Sequence, residues 1–280
     1  MKKALLILVV VAMVAVSAMA MVACNKADKV KVIEIKLTEE EYAFGVDKGD
    51  TELLNAVNNA IDTLKSNGKM DEIMNKYFAG EEVTGVTSAT KDPSKDQLVV
   101  ATNAAFAPFE YKLGNKFAGI DMEIAYEIAT LLGKELVIDD MDFEAVVTSV
   151  GNGTCDIAMA GLTVNETRKE SVDFTQKYYD ASQMIIVKAD DTTFDNCKTA
   201  ADVEAVLKAM SGKKVGFQNG TTGEFYIKGD EDWGFDGYSN ITPAGYANAG
   251  LAVQDMINGN IDFVVIDEMP AKTIAKSMNK

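Results

Sequence analysis

From position 97 onward the chain alternates between two hydrophobic patterns. Short apolar runs at 98–102, 135–138, 156–160, 184–187, 214–218 and Phe263–Asp267 read as strands, several apolar at every position as buried strands are. Between them lie stretches whose apolar side chains recur at three and four residues. Ile120–Leu132 puts Ile120, Ile124, Ile128 and Leu131 on one face, and 143–150, 200–210 and 252–257 read as helices too. Such alternation predicts an α/β fold, with parallel sheets wrapped by helices. Ahead of this block, 30–35 alternates like a half-buried strand and 41–46 reads as a second one. Asp50 and Thr51 then cap a helix with Leu53, Leu54, Val57, Ile61 and Leu64 on one stripe and Gly68 at its end. A short helix over 71–78 carries Ile73, Met74 and Tyr77 on one face. Positions 79–96 have no period and are rich in Gly, Ser, Thr, Lys and Asp, which reads as a linker. As flexible coil such a linker spans roughly 20–25 Å.

Composition narrows the function. Lys2 and Lys3 precede an almost wholly apolar run from Ala4 to Ala20, and Met21-Val22-Ala23-Cys24 follows. The run approaches the length of a membrane span, so a transmembrane anchor is one reading. The other is a cleaved signal, since the chain turns polar directly after Cys24. The formal net charge is −16, and loss of the two lysines makes it −18, with 25 basic residues against 43 acidic. So acidic a chain has no basic patch for nucleic acid and no unaided attraction to anionic lipid. Beyond Cys24 there are two cysteines, Cys155 and Cys197, too few for a disulfide-built domain and expected as free thiols. Histidine is absent altogether. That removes the commonest general base, Ser-His and Cys-His nucleophile pairs and most zinc sites. The length accommodates two lobes of roughly 100 residues or more.

The stretch from Ala160 to Arg168, AGLTVNETR, joins a strand-like run to a helix start. Backbone N–H groups at a helix start favour an anion, and an arginine beside them adds a fork that grips a carboxylate with two hydrogen bonds. A capped surface helix with a solvated Arg168 is the plain alternative. Gly220-Thr221-Thr222-Gly223 stands before a helix at Glu224, as a second helix start or an ordinary turn. Asp267 ends an apolar strand, where an unpaired carboxylate is costly; it either meets a cation or caps the segment after it. The acids of 230–236 alternate faintly like a calcium loop but lack its glutamate spacing, and read as a solvated loop.

Several blocks taken in order carry a resemblance: ATNAAFAPFEY from Ala101, GIDMEI from Gly119, the 160–168 stretch, VDFTQKYY from Val172, QNGTTG from Gln218 and NIDFVVIDEMPA from Asn260. Together they resemble the polar amino acid substrate-binding proteins of bacterial ABC importers, family 3, over 97–280. The resemblance implies the two-lobed periplasmic-binding-protein fold with two hinge strands. The residues before Cys24 look like the signal and lipobox of a bacterial lipoprotein, with Met21 a departure from the usual branched aliphatic. Residues 37–78, with LTEEEY, KGDTELL and NGKMDEIMNKYF, resemble the segment that normally closes such proteins, here placed first. Asn25-Lys26 also repeats the final Asn279-Lys280. The order implied is a circular permutation: signal 1–23, one lobe over 40–183 including the 79–96 linker, the other from 24–39 and 185–280. Hinge crossings are expected near 38–42 and 182–187. An unrelated helical prefix is the alternative.

By the same resemblance the ligand site takes Asn103, Phe106, Phe143, Gly161, Thr163, Arg168, Gln218, Thr222 and Asp267. Arg168, with N–H groups at Thr163 and Thr222, would hold a carboxylate. Asp267, the Gly161 carbonyl and the Thr163 hydroxyl would accept from an ammonium. Phe106 and Phe143 would wall the side-chain pocket, though either could be plain core. Asn103 stands where the family often has an acid that reads a basic side chain, and Gln218 where some members carry a lysine, so the pocket leans toward glutamine or another uncharged polar amino acid. No catalytic residue, cofactor or metal is implied. The function implied is capture of a free amino acid by a monomer tethered outside the cell membrane through lipid on Cys24, and delivery to an ABC permease. An enzyme on the same fold, such as a dehydratase, or a ligand-sensing domain is the alternative; the absence of histidine and of a paired-carboxylate signature in these blocks weighs against the enzyme.

Overall fold

The computed structural model describes residues 27–280; Cys24 and the apolar run before it lie outside them. Two five-stranded sheets organise the chain. The first has the order β1 (Val30–Ile33), β12 (Gln183–Lys188), β15 (Phe263–Asp267), β13 (Lys213–Gln218), β14 (Ile241–Tyr246). The second runs β10 (Val172–Phe174), β3 (Gly45–Asp47), β9 (Ile157–Ala158), β4 (Gln97–Thr102), β8 (Glu135–Asp140). Parallel pairs, β13 with β14 and β15 and β4 with β8 and β9, form one side of each sheet out to its edge, and antiparallel strands complete the other side. The α/β expectation holds, in a two-lobed molecule. A small meander of β5 (Ala105–Phe106), β6 (Glu110–Leu113) and β7 (Lys116–Ala118) flanks the second sheet.

Local sequence explains the helices around these sheets. In α1 (Thr51–Ser66) the Asp50 carboxylate accepts from Leu53 N at 2.9 Å, and Val57, Ile61 and Leu64 are buried as their spacing requires. α2 (Lys69–Ala79) and α3 (Ile120–Leu132) end on glycines in the left-handed region, Gly80 and Gly133. α4 (Phe143–Gly151) covers the opposite face of the second sheet. The period-two rule sorts β4: Leu98 and Val100 join Ile61, Ile124 and Ile128 in one core cluster, while Val99 and Ala101 join Val146 and Val150 of α4 in the other. The first sheet is wrapped by α6 (Ala200–Ala209), closed at its start by a Thr199–Asp202 capping box, α8 (Ala249–Ile257) and α9 (Glu268–Met278).

The sheets are joined by β2 (Glu40–Tyr42) and β11 (Tyr179–Ala181), which pair antiparallel as a two-stranded ribbon. The second crossing therefore falls earlier than the expected 182–187. Ile185 and Ile186 sit inside β12, hydrogen-bonded between β1 and β15, because their apolar side chains belong to the sheet core.

Positions 81–96 are not free coil. Val86 and Phe117 exchange backbone hydrogen bonds at 2.6 and 2.9 Å, Ala89 N donates to Leu136 O at 2.8 Å, and Ile138 N donates to Ser88 Oγ at 2.8 Å. Gln97 Nε2 donates to Thr90 O and Lys91 Nζ to Thr154 O. The segment follows the edges of β7 and β8, and its lack of period reflects backbone groups satisfied one at a time. At the other side of the molecule, the Asn279 side chain accepts from Lys29 N and Val30 N at 2.8 and 3.1 Å and donates to Val30 O.

Candidate ligand-binding site

A narrow cleft lies between the sheets beside the ribbon. Phe106, Phe143, Gly161, Thr163, Arg168, Gln218, Thr221, Thr222 and Asp267 line it. The walls stand so close that the cavity is about 10 Å³, room for about one water. Eight of the nine expected residues line this cleft. The ninth, Asn103, touches it through Gln218.

Arg168 sits on α5 (Glu166–Lys169), a single turn whose start is held by Asn165, which accepts from Arg168 N at 2.7 Å. The helix start read from the sequence is thus a helix of one turn. The guanidinium is buried, not solvated. Nη1 donates to Thr163 O at 2.6 Å, Nη2 donates to Gly220 O at 2.9 Å, and the fork lies 5.3 Å from the Phe143 ring centroid. Gly220 follows β13, so Arg168 spans both walls. Burial lowers its pKa to about 10 against the pull of Glu40 and Asp267. Two of its five N–H donors are used in these bonds, and Arg168 lines the cleft. Phe143 is half-buried beneath it rather than plain core.

Gly161 turns the chain here with φ +54°, and a Cβ would lie 2.9 Å from Phe106 Cε1. Its N–H donates to Asp121 Oδ2 at 2.8 Å, and Tyr178 Oη donates to Asp121 Oδ1 at 2.7 Å. From the facing wall, α7 (Thr222–Lys228) begins at the cleft. Thr221, at its N-cap, donates its hydroxyl to Gln218 O and leaves the helix start uncapped by a side chain. Gly223 is required there, since a Cβ would meet Val265 O at 2.9 Å.

The far end is closed by two amides. Asn103 Nδ2 donates to Met141 O at 2.7 Å, and Gln218 Nε2 donates to Asn103 Oδ1 at 2.9 Å. A carbonyl accepts only, so Met141 O sets the orientation of Asn103, and Asn103 sets that of Gln218. Gln218 Oε1 is left as a buried acceptor without a partner.

Asp267 occupies the N-cap position of α9 but makes no side-chain cap bond. Its Oδ1 accepts from Tyr42 Oη at 2.6 Å instead. Burial and the neighbouring Glu40 push its pKa up to about 7. Glu40, Tyr42 and Gln183 escaped the sequence reading. Glu40 lies between two other acids, which reads as a solvated run, yet β2 alternates buried, exposed, buried, so Glu40 shares the inner face with Tyr42. That alternation was the available signal. The blocks that carry the resemblance hold no carboxylate pair, but Glu40, outside them, is folded in as a charge neighbour of Asp267. Asp232 of the acidic loop accepts from Thr167 Oγ1 at 2.5 Å, and among the described residues no group of acids or cysteines is placed to hold a metal ion.

The sequence model of the bacterial extracellular solute-binding proteins, family 3, matches residues 7–80 and 98–267. The chain is 30% identical over 198 residues to an arginine-binding extracellular protein of Bacillus subtilis, covering 69% of each. It is 29% identical over 175 residues to a probable histidine-binding protein of Campylobacter jejuni, covering 62% of this chain and 61% of that protein. A solved ancestral arginine-binding protein bound to glutamine superposes with a TM-score of 0.56 at 33% identity, covering 65% of this chain and 74% of that one.

Proposed function

Because the chain belongs to the bacterial extracellular solute-binding proteins of family 3, we propose that it captures a free polar amino acid between its lobes and delivers it to an ABC importer. The observation that carries this reading is the pairing in one cleft of Arg168, an arginine with donors to spare, and Asp267, a carboxylate turned inward from its cap position. These are the two charges a zwitterion needs, and both line the same cleft. Arg168 and the N–H groups at Thr163 and Thr222 hold the carboxylate; Asp267, Thr163 and the Gly161 carbonyl hold the ammonium. The relatives are named for arginine and histidine, but here the side-chain end is made of Asn103 and Gln218, neutral amides. The unpartnered Gln218 Oε1 favours a side chain that donates a hydrogen bond without charge, as glutamine does. The protein works outside the cytoplasmic membrane, tethered by lipid on Cys24, as a monomer without cofactor or turnover.

The domain reading is also ours. One lobe spans 40–183, the other 24–39 with 185–280, and the order is a circular permutation. Two features support it: the family match falls in two stretches separated by 81–97, and Asn279 holds the start of β1.

A melting screen over the twenty amino acids tests the function. At a hundredfold excess over Kd, ligand stabilises by about 2.7 kcal/mol, which raises Tm by roughly 5–10 °C in a chain of this size. Glutamine is expected to give that shift and Arg168→Ala to remove it. A screen without any shift, or a shift retained in the variant, overturns the reading.

A further inference from the structure

β2 carries a buried carboxylate, Glu40, against the cleft residue Thr163, and the binding scheme above leaves it without a role. Glu40 is 4% exposed and Asp267 5%. Glu40 Oε1 accepts from Thr38 Oγ1 at 2.6 Å and from Gln183 Nε2 at 3.0 Å, and Oε2 accepts from Thr163 Oγ1 at 2.9 Å. All three donors are neutral. Asp267 Oδ1 is held by the neutral Tyr42 hydroxyl. The nearby cation, Arg168, donates to the carbonyls of Thr163 and Gly220 and to neither acid. The other titratable groups facing Asp267 are Tyr179 of β11 and Glu110 of β6, the latter with both carboxylate oxygens buried and unpartnered. Two ionised carboxylates cannot share such a wall cheaply, because burial and like charge both favour the neutral form.

We propose that Glu40 is a second acid behind the ammonium pocket, and that its charge keeps on Asp267 a proton that the ligand's ammonium displaces on binding. The inference rests on the reading that a free amino acid binds here. The step balances simply: the Asp267 carboxyl loses its proton to solvent, the ligand's –NH3+ takes the place of that charge, and no bond to the ligand is made or broken. Glu40 also orients Thr163. Because the Thr163 hydroxyl hydrogen points at Glu40, its lone pairs face the cleft and accept from the ammonium.

The direction of the pH effect is set by these charges. Asp267 is raised to about 7 without ligand, and a bound ammonium lowers it. Between those two values binding releases a proton, so affinity weakens as pH falls through about 7, by up to about tenfold per unit.

The test is calorimetric titration of the protein with L-glutamine, then with the other amino acids, in buffers of low and high ionisation enthalpy. Near pH 6 the heat is expected to depend on the buffer, with about one proton released per ligand, and above pH 8 the dependence is expected to fall close to zero. Glu40→Gln keeps the size of the side chain but removes its charge. It is expected to bind still, more weakly above pH 8, with proton release near pH 6 cut by more than half. A buffer-independent heat near pH 6, or undiminished release in Glu40→Gln, overturns the inference while leaving amino acid binding intact. No heat with any amino acid overturns the binding reading itself.

Discussion

Under the proposed function, single residues set which ligand the cleft prefers. The chain of amides from Met141 O through Asn103 to Gln218 leaves one acceptor at the side-chain end. Asn103→Asp places a carboxylate in the same wall, and arginine or lysine affinity is expected to rise by about tenfold or more relative to glutamine, since a buried charge partner is worth more than a neutral acceptor. A competition titration reads this. Three of the four acids buried around the cleft also set the response of stability to pH. Burial pushes Asp121 and Asp267 up to about 7 and Glu110 well above its usual value. A carboxyl raised in the folded state binds more protons there than when unfolded, so its contribution is retained at low pH and lost as pH rises from about 4 through 7. Glu110→Gln removes the unpartnered acid without changing its size. It is expected to raise Tm by roughly 2–10 °C near pH 8, the cost of one buried unsatisfied group, and to change it little near pH 5. Equal effects at both pH values would contradict the burial argument. Arg168, Thr163 and Gly161 stood out in the sequence because glycine, capping residues and arginine cluster there. Glu40 did not, because three acids in succession look like surface until the strand's alternation is imposed on them.

At the scale of elements, periodicity located most strands and helices, and the caps acted where their chemistry placed them. Two caps have different consequences. Asp50→Ala loosens α1 far from the cleft and is expected to cost about 1 kcal/mol of stability with ligand affinity unchanged. Asn165→Ala costs a similar amount, but α5 is one turn carrying Arg168, so ligand affinity is expected to fall with it. Melting and titration of both variants separate the two effects. The periodicity shows no strand at β14 because Pro243 interrupts it and only Ile241 is buried; an edge strand pairing with β13 alone tolerates both. The same reasoning explains 81–96. Its order comes from edges of β7 and β8 that no local pattern encodes.

For the whole molecule, connectivity is separable from the site. The proposed permutation predicts that a rearranged chain, with 280 joined to 28 and opened within 81–96, folds and binds the same amino acid with Kd changed by less than about threefold, since each side chain keeps its partners. Titration of the two orders against each other tests it; loss of folding or of binding would argue that the present order is not equivalent to the rearranged one. What the sequence determined by itself was the set of parts: an α/β alternation, an acidic chain without histidine, and short motifs that cluster glycine, capping residues, arginine and aspartate. What only the tertiary structure decided was adjacency. Tyr42 and Asp267, 225 positions apart, share a hydrogen bond, and Glu40 meets Gln183 across the ribbon. Periodicity reports which face of an element is buried, but which buried faces meet depends on how the two sheets are joined, and that is a property of the folded chain.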